Sequence, residues 1–274
     1  MEKTKVIDVK KVLKQKAPNI ANRIPRFLIN YLIRIIHQEE INDILERHRD
    51  LDGVAFLQAL VDEFNIHIEA YGTNHIPMDG RKYIFASNHP LGGLDGICIG
   101  ALLGTYYGEG INLLVNDLLL FIPNLKSVFI PINKHGAQAK QAALLIEEVF
   151  KSDKQMLTFP AGLCSRKSHG KICDLEWKKS FIQKAIDYQR DVVPVYFEGR
   201  NSNFFYRLAN FRKRLCIKMN FEMLYLPDEM FKQRNNSFRV FIGPPVPWQT
   251  FDNSKKPAEW AQWIKEKVYL LSGN

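Results

Sequence analysis

Ten consecutive residues concentrate the reactive chemistry of this 274-residue chain. The segment Ser87-Asn88-His89-Pro90-Leu91-Gly92-Gly93-Leu94-Asp95-Gly96 follows a compact apolar run and leads into a helical one. It therefore occupies a strand-to-helix turn, where reactive side chains are commonly presented. A histidine followed a turn later by an aspartate lets the carboxylate accept from one imidazole nitrogen. That contact fixes the tautomer and leaves the other nitrogen to take a proton from an attacking hydroxyl or amine. Base catalysis of this kind contributes ~10²–10⁴ in rate. Taken in isolation, the pair also reads as a turn histidine and a first-turn aspartate stabilised by the helix dipole.

A second segment, Gly162-Leu163-Cys164-Ser165-Arg166-Lys167-Ser168-His169-Gly170-Lys171, follows the apolar run MLTFP. Its glycines, hydroxyls and cations suit a phosphate or carboxylate, or else a solvated basic loop. Arg166 leads as an anion ligand because a guanidinium offers two parallel hydrogen bonds, with Lys167 and Lys171 behind it. The spacing is not that of a Walker loop. Asn133 and Lys134, after the run VFIPI, read equally as a loop cap and as a cation facing a substrate's head. Lys178 is a further headgroup or phosphate contact, next to Trp177 and Phe181 on a helix face that otherwise reads as core.

These loops need a scaffold. Alternation in NIHIEAYG and the apolar runs YIFAS, INLLV, VFIPI, MLTFP and VVPVYF predict strands. Helical patterns fall between them at about 93–104, 136–151 and 176–189, which is the rhythm of a sheet covered by helices. One helical stretch is predicted over 39–63, and another at the closing residues 257–271. A basic aromatic helix is predicted at NFFYRLANFRKRL. The chain thus divides into an N-terminal helical segment, 1–63, and an α/β domain with a mixed sheet, 64–274. Ile24, Phe27, Leu28, Tyr31, Leu32, Ile35 and Ile36 recur at helical spacing among Arg23, Arg26 and Arg34. That helix is amphipathic and basic, suited to packing on the domain or to lying at an anionic lipid surface.

No run approaches the roughly 20 apolar residues of a membrane-spanning helix. The charged N-terminus carries no secretory pattern, so a cytosolic setting is expected. Cys98, Cys164, Cys173 and Cys216 form no CxxC pair, which predicts free thiols and no metal. The formal net charge of +9 suits nucleic acid, anionic lipid or an acidic protein, but no nucleic-acid module is recognisable. A serine hydrolase is a rival, although it lacks the GxSxG elbow and would have to use Ser87 or Ser165.

Three blocks recur in order over about 110 residues: His89-Pro90-Leu91-Gly92-Gly93-Leu94-Asp95, then Phe159-Pro160-Ala161-Gly162 with Ser165-Arg166, then the strand Val193-Pro194-Val195. This order resembles the glycerolipid and lysophospholipid acyltransferases (1-acylglycerol-3-phosphate acyltransferase-like). Their blocks are NHxxxxD, FPEG followed by Thr, Arg and Ser, and a short apolar strand centred on Pro; a second block resembles Phe129–Lys134. Here five residues separate His89 from Asp95 where the family has four, and Ala161 stands where the family has Glu. The glycine-containing HPLGGLD form is most similar to bacterial lyso-ornithine and lyso-glycine lipid O-acyltransferases and to hemolysin-like members.

The resemblance implies His89 as base and Asp95 as its partner. It implies a substrate site of Asn88, Gly92, Gly93, Lys134, Phe159, Pro160, Gly162, Ser165, Arg166 and Lys178, with no metal and no permanently bound cofactor. Acyl-carrier protein (acyl-ACP) or acyl-CoA would be the acyl donor, and a lyso-aminolipid or lysophosphatidate the acceptor. Backbone N–H groups of Gly92, Gly93 or Gly162 are candidate oxyanion donors. Membrane lipids and acyl carrier protein are the expected partners, at the cytoplasmic face of the membrane, with the aromatic and basic residues of 204–214 facing lipid or steering the acidic carrier protein. A non-catalytic peripheral lipid-binding protein is the alternative.

Overall fold

A computed structural model describes residues 6–16, 23–115, 122–132 and 137–273, with 137–142 described in backbone only. Its helices are α1 (Val9–Lys16), α2 (Arg26–Ile35), α3 (Gln38–Arg47), α4 (Gly53–Glu63), α5 (Leu94–Tyr107), α6 (Ala137–Lys151), α7 (Ser180–Asp187), α8 (Asn203–Arg214), α9 (Leu226–Phe231) and α10 (Pro257–Leu270). The strands are β1 (His67–Tyr71), β2 (Tyr83–Ser87), β3 (Ile111–Val115), β4 (Phe129–Pro131), β5 (Gln155–Thr158), β6 (Arg166–Ser168), β7 (Lys171–Cys173), β8 (Asp191–Glu198) and β9 (Ser237–Ile242).

Seven strands form one mixed sheet in the order β1-β9-β8-β2-β5-β3-β4. From β8 to β4 all neighbours are parallel, whereas β9 runs antiparallel to β8 and carries β1 with it. Side chains of β2 divide between the two faces, as a strand's period of two requires. Tyr83 and Phe85 join a core with Phe56, Leu57 and Leu60 of α4 and Ile99 and Leu103 of α5. Ile84 and Ala86 join the opposite core with Phe181 and Ile182 of α7 and Trp260 and Ile264 of α10. Fully burying each such side chain stabilises the fold by roughly 1.5–3 kcal/mol. A Cβ at Gly100 would lie 2.9 Å from Leu57 Cδ1, so the bare backbone there is what lets α4 approach α5.

Two expected helices are shorter than their sequence patterns. The 39–63 stretch breaks between α3 and α4, because Asp52 is extended and Gly53 takes a left-handed φ of +56° that few other residues tolerate. In 176–189 the helix starts only at Ser180. Residues ahead of it spend their backbone N–H groups on tertiary partners: Trp177 donates to Gln262 Oε1 (3.3 Å) and Lys178 to Pro160 O (3.0 Å). The basic segment after Gly162 is no open loop but a short antiparallel hairpin, β6–β7, turning at His169 and Gly170.

Candidate active site

Strands β8, β2 and β5 lie side by side and parallel, so the residues following their C-terminal ends share one rim of the sheet, where open α/β sheets bind ligands. β2 delivers His89, β5 delivers Phe159, and β8 leads to Asn201. Asn88 fastens the first of these loops. Its Nδ2 donates to Phe197 O (2.9 Å) and its Oδ1 accepts from Phe197 N–H (2.7 Å), both buried. Asn88, expected to bind substrate, is therefore a clamp between β2 and β8. Asn201 ties the same loop from the other side through Pro90 O (3.2 Å).

His89 Nδ1 lies 3.0 Å from Asp95 Oδ2. The five-residue interval thus keeps a direct contact, and the glycines explain how. Gly92 has φ +78°, a left-handed conformation that closes the turn, whereas Gly93 has φ 175° and ψ −55°. The turn wraps Asp95 in donors: Oδ2 also accepts from Leu91 N–H (2.9 Å) and Gly92 N–H (3.3 Å), and Oδ1 from Gly93 N–H (3.1 Å) and Gly96 N–H (2.9 Å). The Asp95 side chain is fully buried while that of His89 remains 13% exposed. The imidazole packs against Phe159 at a centroid separation of 4.3 Å with the rings tilted by 31°, and its Nε2 has no protein partner among the described residues.

Burial disfavours the imidazolium, but the adjacent Asp95 carboxylate, aided by Asp174, outweighs it and holds His89 above the usual histidine range. Burial likewise pushes Asp95 upward. The contact with His89 and the N–H groups of Leu91 and Gly96 prevail, keeping it below the usual carboxylate range and ionised.

Two groups of candidates turn out to be occupied. The amides of Gly92 and Gly93 point at Asp95, and Gly162 N–H donates to Phe159 O (2.9 Å), so none of the expected oxyanion donors is available for that role. Ser165, expected at the substrate, is buried and gives its hydroxyl to Asp174 Oδ1 (2.6 Å), and its N–H holds His89 O (2.7 Å). Ser87 donates to Asn88 O (2.9 Å). Neither hydroxyl is directed at His89, which removes the serine-hydrolase arrangement. Cys164 is no substitute nucleophile, because burial pushes its thiol up to about 11.

Arg166 was the leading anion ligand. Instead it donates to Cys164 O (2.7 Å) and to the buried carboxylate of Glu222 (3.1 Å), which Arg212 approaches at 2.8 Å from the far side. Much of its donor capacity is therefore spent inside the protein. Pro160 is buried and accepts the Lys178 amide, and the Lys178 ammonium occupies the space a Cβ on Gly162 would need. Lys134 lies outside the described residues.

Asp174 escaped the sequence reading. It is buried, and besides Ser165 it accepts from His89 N–H (3.1 Å) and from Trp177 Nε1–H (2.9 Å). Its own N–H donates to Tyr269 Oη (2.8 Å) and its carbonyl accepts from Lys265 Nζ (2.7 Å), joining the histidine loop to α10. Burial raises its carboxyl above the usual range against these donors. The signal available in sequence was an aspartate just beyond a basic hairpin and three residues before a tryptophan, a pattern too common to single out.

A buried, hydrogen-bonded His–Asp pair at the C-terminal rim of a mixed sheet, open at Nε2, has the chemistry to accept a proton there. The acyltransferase family model matches residues 11–274. The chain is 52% identical to the lyso-glycine lipid O-acyltransferase of Bacteroides thetaiotaomicron over 266 residues, 97% of each protein. It is 49% identical to the enzyme of that name from Phocaeicola vulgatus, over 97% of this chain and 95% of the other. The crystal structure of the 1-acyl-sn-glycerophosphate acyltransferase PlsC from Thermotoga maritima aligns with a TM-score of 0.46 at 16% identity, covering 97% of both chains. The chain belongs to the acyltransferase family and is an acyltransferase.

Proposed function

We propose that this enzyme transfers a fatty acyl group from a thioester to the hydroxyl of a lyso-lipid, with neutral His89 as general base. The observation that carries this reading is the 3.0 Å contact between His89 Nδ1 and an Asp95 carboxylate held by four backbone N–H groups, which leaves Nε2 open. The acceptor oxygen attacks the thioester carbonyl as its proton passes to Nε2. The tetrahedral intermediate then expels the thiolate, which recovers the proton from the imidazolium, giving an ester and a free thiol. Asp95 stabilises the imidazolium between the two transfers. The names of the two bacterial relatives favour a lyso-glycine lipid as acceptor. Acyl-ACP or acyl-CoA is the donor, and no bound cofactor takes part.

The enzyme works peripherally at the cytoplasmic face of a membrane. No helix among the described residues is long and apolar enough to cross a bilayer. On α2, Phe27, Leu28 and Tyr31 are nevertheless exposed alongside Arg26 and Arg34, with exposed Arg23 just ahead of the helix, the composition of an interfacial helix. The test is mass spectrometry of lipids from cells fed labelled fatty acid and expressing wild type or His89→Ala. A diacylated lipid formed only with wild type supports the reading, and its headgroup identifies the acceptor. Equal lipid profiles with membrane binding intact would favour a non-catalytic lipid-binding protein instead.

A further inference from the structure

Two features on one flank of the molecule take no part in the histidine site. The first is a groove between the β6–β7 hairpin and α8, formed by adjoining open concavities of about 450 and 320 Å³. Its cationic lining is Lys167 from the hairpin and Arg207, Lys213 and Arg214 from the helix, with His169 beside them, and no carboxylate lines it. Among the described residues none of Lys167, Arg207, Lys213 and Arg214 is paired with a carboxylate. Arg212 of the same helix, by contrast, is committed to buried Glu222. Complementing the helix dipole accounts for cations in the last turn of α8 but not for Arg207 or Lys167. The walls are fixed relative to each other, since Asn210 Nδ2 donates to Lys167 O (3.1 Å).

The second feature is an apolar stripe beside the groove. Phe204, Phe211 and Leu215, at seven- and four-residue spacing, lie 47%, 57% and 53% exposed, while Phe205, Tyr206 and Ala209 bury the opposite side of α8. Phe205 and Tyr206 were expected on the lipid side with the others; they are core instead. The stripe runs on to α2: Phe204 meets the Tyr225 ring at 5.0 Å, and the Tyr225 hydroxyl lies 2.7 Å from that of Tyr31, near exposed Phe27 and Leu28.

We propose that α8 and the β6–β7 hairpin form a second bilayer-docking surface selective for anionic phospholipid, with Phe204, Phe211 and Leu215 entering the apolar layer and the groove cations receiving lipid phosphates. This rests on the reading that the enzyme works at a membrane, and adds the surface and the lipid charge class. Apolar side chains beside cations match the layering of a bilayer interface. An acidic carrier protein would satisfy the cations and leave the stripe uncovered.

The test is co-sedimentation of the full chain with zwitterionic vesicles and with vesicles containing a minority of anionic phospholipid. Arg207→Gln/Arg214→Gln removes two surface cations and is expected to weaken binding to anionic vesicles about 30-fold, less at high salt, with zwitterionic binding unchanged. Phe211→Ser/Leu215→Ser is expected to weaken binding to both. All four side chains are exposed, so melting temperatures and turnover of a detergent-solubilised acceptor stay at wild-type level. Wild-type binding of the arginine variant to anionic vesicles overturns the proposal. Intact vesicle binding with a selective loss of turnover from acyl-carrier protein also overturns it, and assigns the groove to that donor. Failure of the wild type to bind any vesicle overturns the membrane reading itself.

Discussion

Replacing Asp95 with asparagine changes one atom in a site whose donors can be counted. Two N–H groups point at Oδ1, and two N–H groups and the imidazole point at Oδ2. Whichever way the amide is turned, its NH₂ faces donors: those of Gly93 and Gly96 in one orientation, and those of Leu91, Gly92 and His89 in the other. The first loses fewer bonds and is favoured. Two buried donors left unpaired cost roughly 1–3 kcal/mol each, so Asp95→Asn should lose roughly 2–6 kcal/mol of stability, a large part of the ~5–15 typical of a domain. The deficit narrows in acid, because a carboxylate depressed in the fold stabilises it above the unfolded pKa and loses that contribution as pH falls through the folded one.

In the same orientation the remaining oxygen still accepts from His89 Nδ1–H, so the tautomer survives while the charge that stabilises the imidazolium is gone. Turnover should fall about 10²-fold, within the range of base catalysis. Removing the negative charge also lowers the pKa of His89, so the acid limb of the rate profile should move to lower pH. Denaturant titration and thiol release measured across pH read these effects. An Asp95→Asn protein within ~0.5 kcal/mol of wild type, with unchanged turnover and an unmoved limb, would refute the reasoning, since surface-like tolerance belongs to residues outside such networks.

The two glycines of the turn should behave differently. Gly92→Ala strains a left-handed backbone and brings a Cβ within 3.0 Å of Cys164 Cβ and Leu226 Cδ1, for a loss of roughly 1–3 kcal/mol in thermal unfolding, whereas Gly93, where a Cβ meets open space, should lose less on the same substitution. Asp174→Asn should shift the acid limb to lower pH by less than Asp95→Asn does, because the Asp95 carboxylate raises His89 more than Asp174 does; an unmoved limb in the pH profile would separate Asp174 from the base. Glu222→Gln leaves Arg166 and Arg212 facing each other without a carboxylate, and chemical denaturation should register a loss of roughly 3 kcal/mol.

How much of this was legible depended on the range of the interactions. Strand period and apolar runs announced β2, β3, β5 and β8, since a strand buried on both faces needs apolar side chains whatever its neighbours. The His89–Asp95 pair was equally legible, being six positions apart, within a single turn of chain. What lay beyond local reasoning was decided by partners distant in sequence. Arg166 carries the chemistry of an anion ligand, but whether it meets a substrate or Glu222, 56 residues away, is settled by how α8 and the segment before α9 pack on the hairpin. Asn88 is committed by its clamp to Phe197, 109 residues on, and Asp174 by reaching back 85 residues to His89. The sequence by itself determined which elements form and which side chains can do chemistry, because propensity, patterning and turn geometry act over a few residues. Only the tertiary structure decided which polar groups are left for a substrate, because a buried donor or acceptor must be paired, and its partner is known only when the chain has folded.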